Sequence, residues 1–268
     1  MFKTHPDSMR MESTPERVFA VARAVAYRSM TPTELSEAMS LGKPGEAVGS
    51  ETRLSITVAS EEFGLISLKD GQYIFSASKE AIASPNAFRR FVNGRAFINL
   101  DSTFVRFSRW YVAQNEKILN QDSWEVKAKT AARDVPALRG LDENAALGWR
   151  FWAAFLGLGY LDGATLLPNM ATRLRDILSA DFNKMFPYGE AVSVTEFRPW
   201  LALRLPEADF SDVSAPWPLA VSAGLRTLRD LDVIQLESRR DTDRVPLYSD
   251  GDPLTDFSHI TVREEVAR

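Results

Sequence analysis

Side chains suited to nucleophilic or metal chemistry are scarce in this chain of 268 residues. There is no cysteine, which removes disulfides, thiolate zinc ligands and thiol nucleophiles. The two histidines, His5 and His259, lie near opposite ends of the sequence. A multi-histidine metal site has no material there, and two solvated imidazoles are the simpler expectation. One grouping points to catalysis: Asp122, Glu125 and Lys127. Carboxylates holding magnesium beside a phosphate-polarising lysine are the parts of a metal-dependent nuclease. That chemistry needs Glu and Lys side by side on a strand. This segment reads as helix, which turns Glu125 and Lys127 to different faces. Gly42-Lys43-Pro44 with Gly49-Ser50 has the wrong spacing for a phosphate-binding loop and follows a helix rather than a strand, and Gly157-x-Gly159 fails the dinucleotide pattern in the same way. The expectation is no enzyme, no catalytic residue, no metal and no cofactor.

Cations are the other chemistry on offer. The net charge is −4, which argues against a protein that coats nucleic acid everywhere. The charge is unevenly placed. Residues 1–83 carry 9 basic and 11 acidic side chains, residues 84–140 carry 10 and 5, and residues 141–268 carry 13 and 20. A local basic segment of this kind steers anionic partners. Within it stand Arg89, Arg90, Arg95, Arg106, Arg109, Lys127, Lys129 and Arg133, with aromatic residues between them. Arg106 and Arg109 are three apart and share a helical face. Two readings of this segment stay open: a phosphate-facing surface, or arginines that merely solvate the outside of an aromatic core. A second set lies near the C-terminus. Arg226, Thr227 and Arg229 decorate a helix, and Arg239, Arg240 and Arg244 crowd the hairpin that follows, opposed by Asp230, Asp232, Asp241 and Asp243.

These residues need elements to position them. Thr14 and Pro15 open a helix striped by Val18, Val21, Ala22 and Val25. Thr31, Pro32 and Glu34 fit a capping box opening a second. A breaker-rich link follows, and Ser50 opens a third helix that Gly64 ends as a left-handed cap. Next, 65–68 and 72–75 alternate like strands around a Lys69-Asp70-Gly71 turn. Helix, short helix, helix, hairpin is the winged-helix order. The middle predicts helices near 103–118, 122–133 and 145–155, then a hairpin over 159–168 with an Asp162-Gly163 turn. The C-terminal part predicts a helix over 170–178 capped by Asn169, a second with a Ser193–Glu196 capping box, and a third over 218–231. Strand 233–237 is then expected to return as 245–248, with 258–262 as an added strand.

The fold class expected is therefore mainly α with short β-hairpins (α+β): tandem winged-helix modules joined by a helical middle segment. The divisions expected are a flexible tail at 1–14, a winged-helix domain at 15–80, a basic helical region at 81–167 with material for a further winged unit, a C-terminal winged-helix domain at 168–250, and a tail at 251–268. No run of about 18 apolar residues exists, so no membrane partner is expected, and the chain reads as cytoplasmic.

The stretches EEFGLISLKDGQYIF, GWRFWAAFLGLGYLDGATLLPN and LRTLRDLDVIQLESRRDTDRVPLY resemble the DpdG type of bacterial phage-defence accessory proteins, from deazapurine-in-DNA islands. They cover under a third of the chain. The resemblance implies work beside a helicase or ATPase subunit of a defence complex and carries over no catalytic residue. Two functions stand from the residues themselves. One is binding of double-stranded DNA through Arg89, Arg90, Arg106, Arg109, Lys127, Lys129, Arg226, Thr227, Arg229, Arg239, Arg240 and Arg244. The other is a protein-interaction scaffold without DNA contact. A nuclease is the remote third.

Overall fold

The computed structural model describes residues 2, 9–40, 49–121, 123–249 and 251–264. His5, the Gly42-Lys43-Pro44 loop, most of the link after Ser40, Asp122 and Asp250 lie outside the described residues. The chain is mainly helical, with short antiparallel strands, as the periodicity implies. It divides into two compact units: residues 1–106 with 123–155, and 107–122 with 156–268. These are not the expected sequence modules. The basic middle is shared out, its helices α6 (Trp124–Asp134) and most of α7 (Glu143–Leu156) falling in the first unit. The hairpin β3 (Gly159–Asp162) and β4 (Thr165–Pro168) falls in the second. The middle therefore does not close as a further helix-and-hairpin unit of its own.

In the first unit, α1 (Pro15–Tyr27) starts where Thr14 Oγ1 accepts the Arg17 N–H at 3.4 Å. The Thr31–Glu34 capping box opens α2 (Pro32–Met39), with both reciprocal bonds present. Helix α3 (Ser50–Thr57) continues as a π-helical turn over Val58–Glu62 and ends at Gly64, whose φ of 62° is the left-handed stop. Strands β1 (Ile66–Lys69) and β2 (Gln72–Phe75) pair around Asp70 and Gly71, both at positive φ, the twist a two-residue hairpin requires. Met30, between α1 and α2, bridges antiparallel to Tyr73 and makes a one-residue third strand. Ser84 caps α4 (Pro85–Ala96).

The expected frayed tail is corrected for the described part of 1–14. Phe2 is buried, its ring 5.0 Å from Phe63, 4.6 Å from Phe104 and 5.4 Å from Trp152. Met9 is fully buried, and Trp152 Nε1 donates to the Ser13 carbonyl at 2.7 Å. A Cβ on Gly148 would stand 2.6 Å from the Arg10 backbone, so residues 9–13 lie directly on α7. Apolar residues spaced too irregularly to show a period supplied this packing.

The second unit repeats the element order on a larger scale. Helix α8 (Ala171–Asp181) is followed by β5 (Ala191–Ser193), α9 (Val194–Ala202), α10 (Leu219–Asp230), β6 (Ile234–Glu237) and β9 (His259–Val262). The sheet runs β5-β9-β6, all antiparallel. The return strand of β6 is thus 259–262, not 245–248. Val245–Pro246 (β7) pairs instead with Asp256–Phe257 (β8) inside the long excursion between them. The Ser193–Glu196 box does not form as a cap: Ser193 Oγ bonds the Glu196 side chain at 2.6 Å and takes no backbone N–H of α9. Asn169 Oδ1 does accept the Ala171 N–H, at 3.0 Å. Helix α5 (Thr103–Ala113) ends before Asn115, whose φ is 51°. Asn115 Oδ1 accepts the Leu219 N–H at 2.8 Å and so caps α10 across 104 positions of sequence. Tyr111 donates to the Leu166 carbonyl at 2.6 Å, and burial pushes its hydroxyl pKa up. Gly224 brings α10 onto the start of α8, since a Cβ there would lie 2.8 Å from Ala171 N.

Candidate partner and nucleic-acid interface

The face of a helix that reads nucleic acid must be open, with cations not already spent. Helix α10 fails both conditions. Ala220, Val221, Ser222, Gly224, Leu225, Arg226 and Leu228 are buried. Arg226 is only 5% exposed: Nη1 donates to the Tyr248 carbonyl at 2.8 Å and Nη2 to the Leu254 carbonyl at 3.0 Å. Thr227 Oγ1 donates to the Ala223 carbonyl and accepts from Asn169 Nδ2, each at 2.9 Å. Arg229 forms a two-pronged pair with Asp252, at 3.0 and 2.7 Å, and its Nε reaches Asp230 at 2.9 Å. The Arg229 bonds hold the Asp252 carboxyl down at about 2, and Asp252 in turn raises Arg229 above its ordinary value.

The hairpin arginines are also engaged. Arg239 Nε bonds Glu237 at 2.9 Å. Arg244 donates to the Arg239 carbonyl at 3.2 and 2.9 Å, and lies 3.6 Å from Asp256. Arg240 is exposed and holds no partner among the described residues.

The middle cations scatter. In α4, Arg89 bonds Asn86 at 2.9 Å while Arg90 projects outward without a described partner. In α5, Arg106 grips its neighbour Asp101 at 2.7 Å, and Arg109 donates to the Pro206 carbonyl at 2.6 Å. Lys127 is corrected as a surface residue: it is 4% exposed, with Nζ 5.2 Å from the Trp124 ring centroid. Lys129 pairs with Glu125 at 2.5 Å. Their bond lowers the Glu125 pKa and raises that of Lys129. The nuclease grouping is therefore not assembled from Glu125 and Lys127, since one is exposed and the other buried across the same helix. No group of three or more His, Cys, Asp or Glu side chains among the described residues is placed to hold a metal. No helix among them is long and apolar enough to cross a membrane.

Sequence reasoning missed what the arginines bind. Ser222, Arg226 and Arg229 are spaced i, i+4 and i+7, one stripe of α10. Ser222 Oγ accepts the Tyr248 N–H at 3.0 Å, which adds a third polar anchor to the two guanidinium groups. The spacing was visible; its occupant, some 20 positions further on, was not. The buried pair Arg173–Glu207, at 2.8 Å with side chains 5% and 0% exposed, was missed as well. No family model, curated protein or solved structure matches the chain.

Proposed function

We propose that the chain is a non-catalytic docking subunit built on two winged-helix modules, which binds partner proteins and makes little nucleic-acid contact of its own. The observation that carries the reading is the internal engagement of Arg226, Arg229 and Arg244 by carbonyls and carboxylates of their own unit. Duplex binding draws its affinity from lysines and arginines that neutralise phosphates, and spent cations neutralise none. The net charge of −4 works in the same direction. The repeated order of helix, strand, helix, helix, strand, strand supports the module assignment, with the sheet in each case ordered first, third, second. The partner class that the resemblance implies is a helicase or ATPase subunit in phage defence.

Direct contact with double-stranded DNA is the second reading. It is favoured by Arg53 on α3 and Lys69 at the first hairpin, both exposed without described partners. Fluorescence anisotropy with a labelled duplex separates the two. The docking reading expects a Kd weaker than about 10 µM at physiological salt, and a defined protein partner retained after nuclease treatment. A submicromolar Kd that falls steeply with salt overturns it.

A further inference from the structure

The polar stripe of α10 is occupied by peptide. Ser222 Oγ takes a main-chain N–H, Arg226 gives to two main-chain carbonyls, and Arg229 holds a carboxylate with both prongs. This is recognition of an extended acidic segment: the fork of an arginine fits a carboxylate, and the remaining donors and acceptor fix the backbone's direction. The occupant is the chain itself, at Tyr248, Ser249 and 251–254. None of these residues is fully buried, and the bonds that hold the segment on α10 are polar. Water can satisfy the same groups when the segment leaves.

We infer that the Ser222–Arg226–Arg229 face of α10 is a peptide-docking site, held in this state by residues 248–249 and 251–254, which an extended Asp- or Glu-bearing segment of a partner protein displaces. The inference rests on the docking reading above and gives the partner's contact its chemistry. The atoms engaged favour peptide over phosphodiester, because a sugar-phosphate backbone has no N–H to give to Ser222 Oγ, whereas Arg226 and Arg229 would donate to phosphate oxygens as well as to peptide ones.

The test uses the full chain and a synthetic peptide copying residues 245–256, in a form with the aspartate equivalent to Asp252 and a form with asparagine there. In Asp252→Ala the resident clamp is weakened. That variant is expected to bind the aspartate peptide about tenfold more tightly than the asparagine peptide, and about tenfold more tightly than the parent protein does. Adding Arg229→Gln removes the preference. A folded variant that binds neither peptide, binds both equally, or prefers a DNA duplex overturns the inference. Asp252→Asn is the second variant if alanine unfolds the unit. If both lose their helical circular dichroism, amide exchange in the parent protein decides. Excess aspartate peptide accelerates exchange at Tyr248 if the site is shared, and an unchanged rate overturns the proposal. Failure here beside a nuclease-resistant partner places docking on another surface; loss of the partner itself removes the functional reading.

Discussion

Residues 15–75 and 171–262 follow one element order and treat it differently. In the first, the strand between the opening helices is a single bridge, Met30 to Tyr73, and the hairpin turns on Asp70 and Gly71. In the second, the corresponding strand is β5, bonded over three positions to β9, and 238–258 separates the hairpin strands. The third helix differs accordingly. Arg53 of α3 stands exposed, whereas the arginines of α10 are covered by the excursion. Hairpin length decides whether a helix's polar face meets solvent or its own chain. A two-residue turn cannot fold back over the preceding helix, while a long one carries enough donors, acceptors and charge to satisfy it.

The comparison is broken most severely at the buried ion pair. The second region relies on Arg173 and Glu207, both almost fully enclosed, with Arg173 also donating to the Arg204 carbonyl at 3.2 Å. Arg173→Met leaves the Glu207 charge buried without its partner, a loss of about 3–5 kcal/mol. Denaturant melts followed by hydrogen exchange should place the loss in 156–264; an unchanged midpoint would show the pair to be dispensable. The unit that contains the first region is vulnerable at Gly148, to a smaller degree. Gly148→Ala pushes a methyl against the Arg10 backbone and should cost about 1–3 kcal/mol, with faster exchange across residues 9–13. Retained protection there would refute the packing argument.

Acid gives the smallest and most even-handed probe. Glu34, bonded first by the Thr31 N–H and then by Arg28, and Asp252, bonded by Arg229, both titrate at about 2, below their ordinary values. A lowered carboxyl pKa adds stability that is complete above the unfolded value near 4 and is lost as pH falls through 2. Both regions should therefore lose a small increment between about pH 4 and pH 2. Asp252→Asn should remove the share of Asp252 from the second region, where Asp181, Asp209 and Asp212 are also held below their ordinary values, as read by denaturant melts between about pH 2 and pH 5. An unchanged dependence would show that the Arg229–Asp252 pair contributes none of it.

Features encoded within a few residues were legible in the sequence. Thr14 before Pro15, Thr31 with Glu34 and Asp70-Gly71 each state a local conformation, and each forms. Choices between distant partners were not legible. Residues 245–248 and 259–262 both alternate suitably as the mate of β6, and nothing local shows that Phe257 and Ile260 are the ones taken into the core. The arginines of α10 decorate a helix as the sequence suggests but are not open to a nucleic acid, because Asp252, 23 positions from Arg229, engages them. Lys127 falls among the cations of the basic segment, which suggests a surface charge, whereas it shares the buried face of α6 with Trp124 one turn earlier. The packing of residues 9–13 onto α7 escaped for the same reason: Gly148 signals a close approach without naming what approaches.

The separation of β6 from β9 by 238–258 also sets an order of events when the chain folds. Closing a loop of this length in place of a two-residue turn costs about 2 kcal/mol more in chain entropy. Hairpin β1–β2 gathers from immediate neighbours and can nucleate in microseconds. The β5-β9-β6 sheet must await an encounter between remote strands, and the cap that Asn115 places on α10 must await another. Contacts of long sequence separation slow folding, so the C-terminal half is the slower to mature, and the interval before it does is when its sheet edges stand open to aggregation.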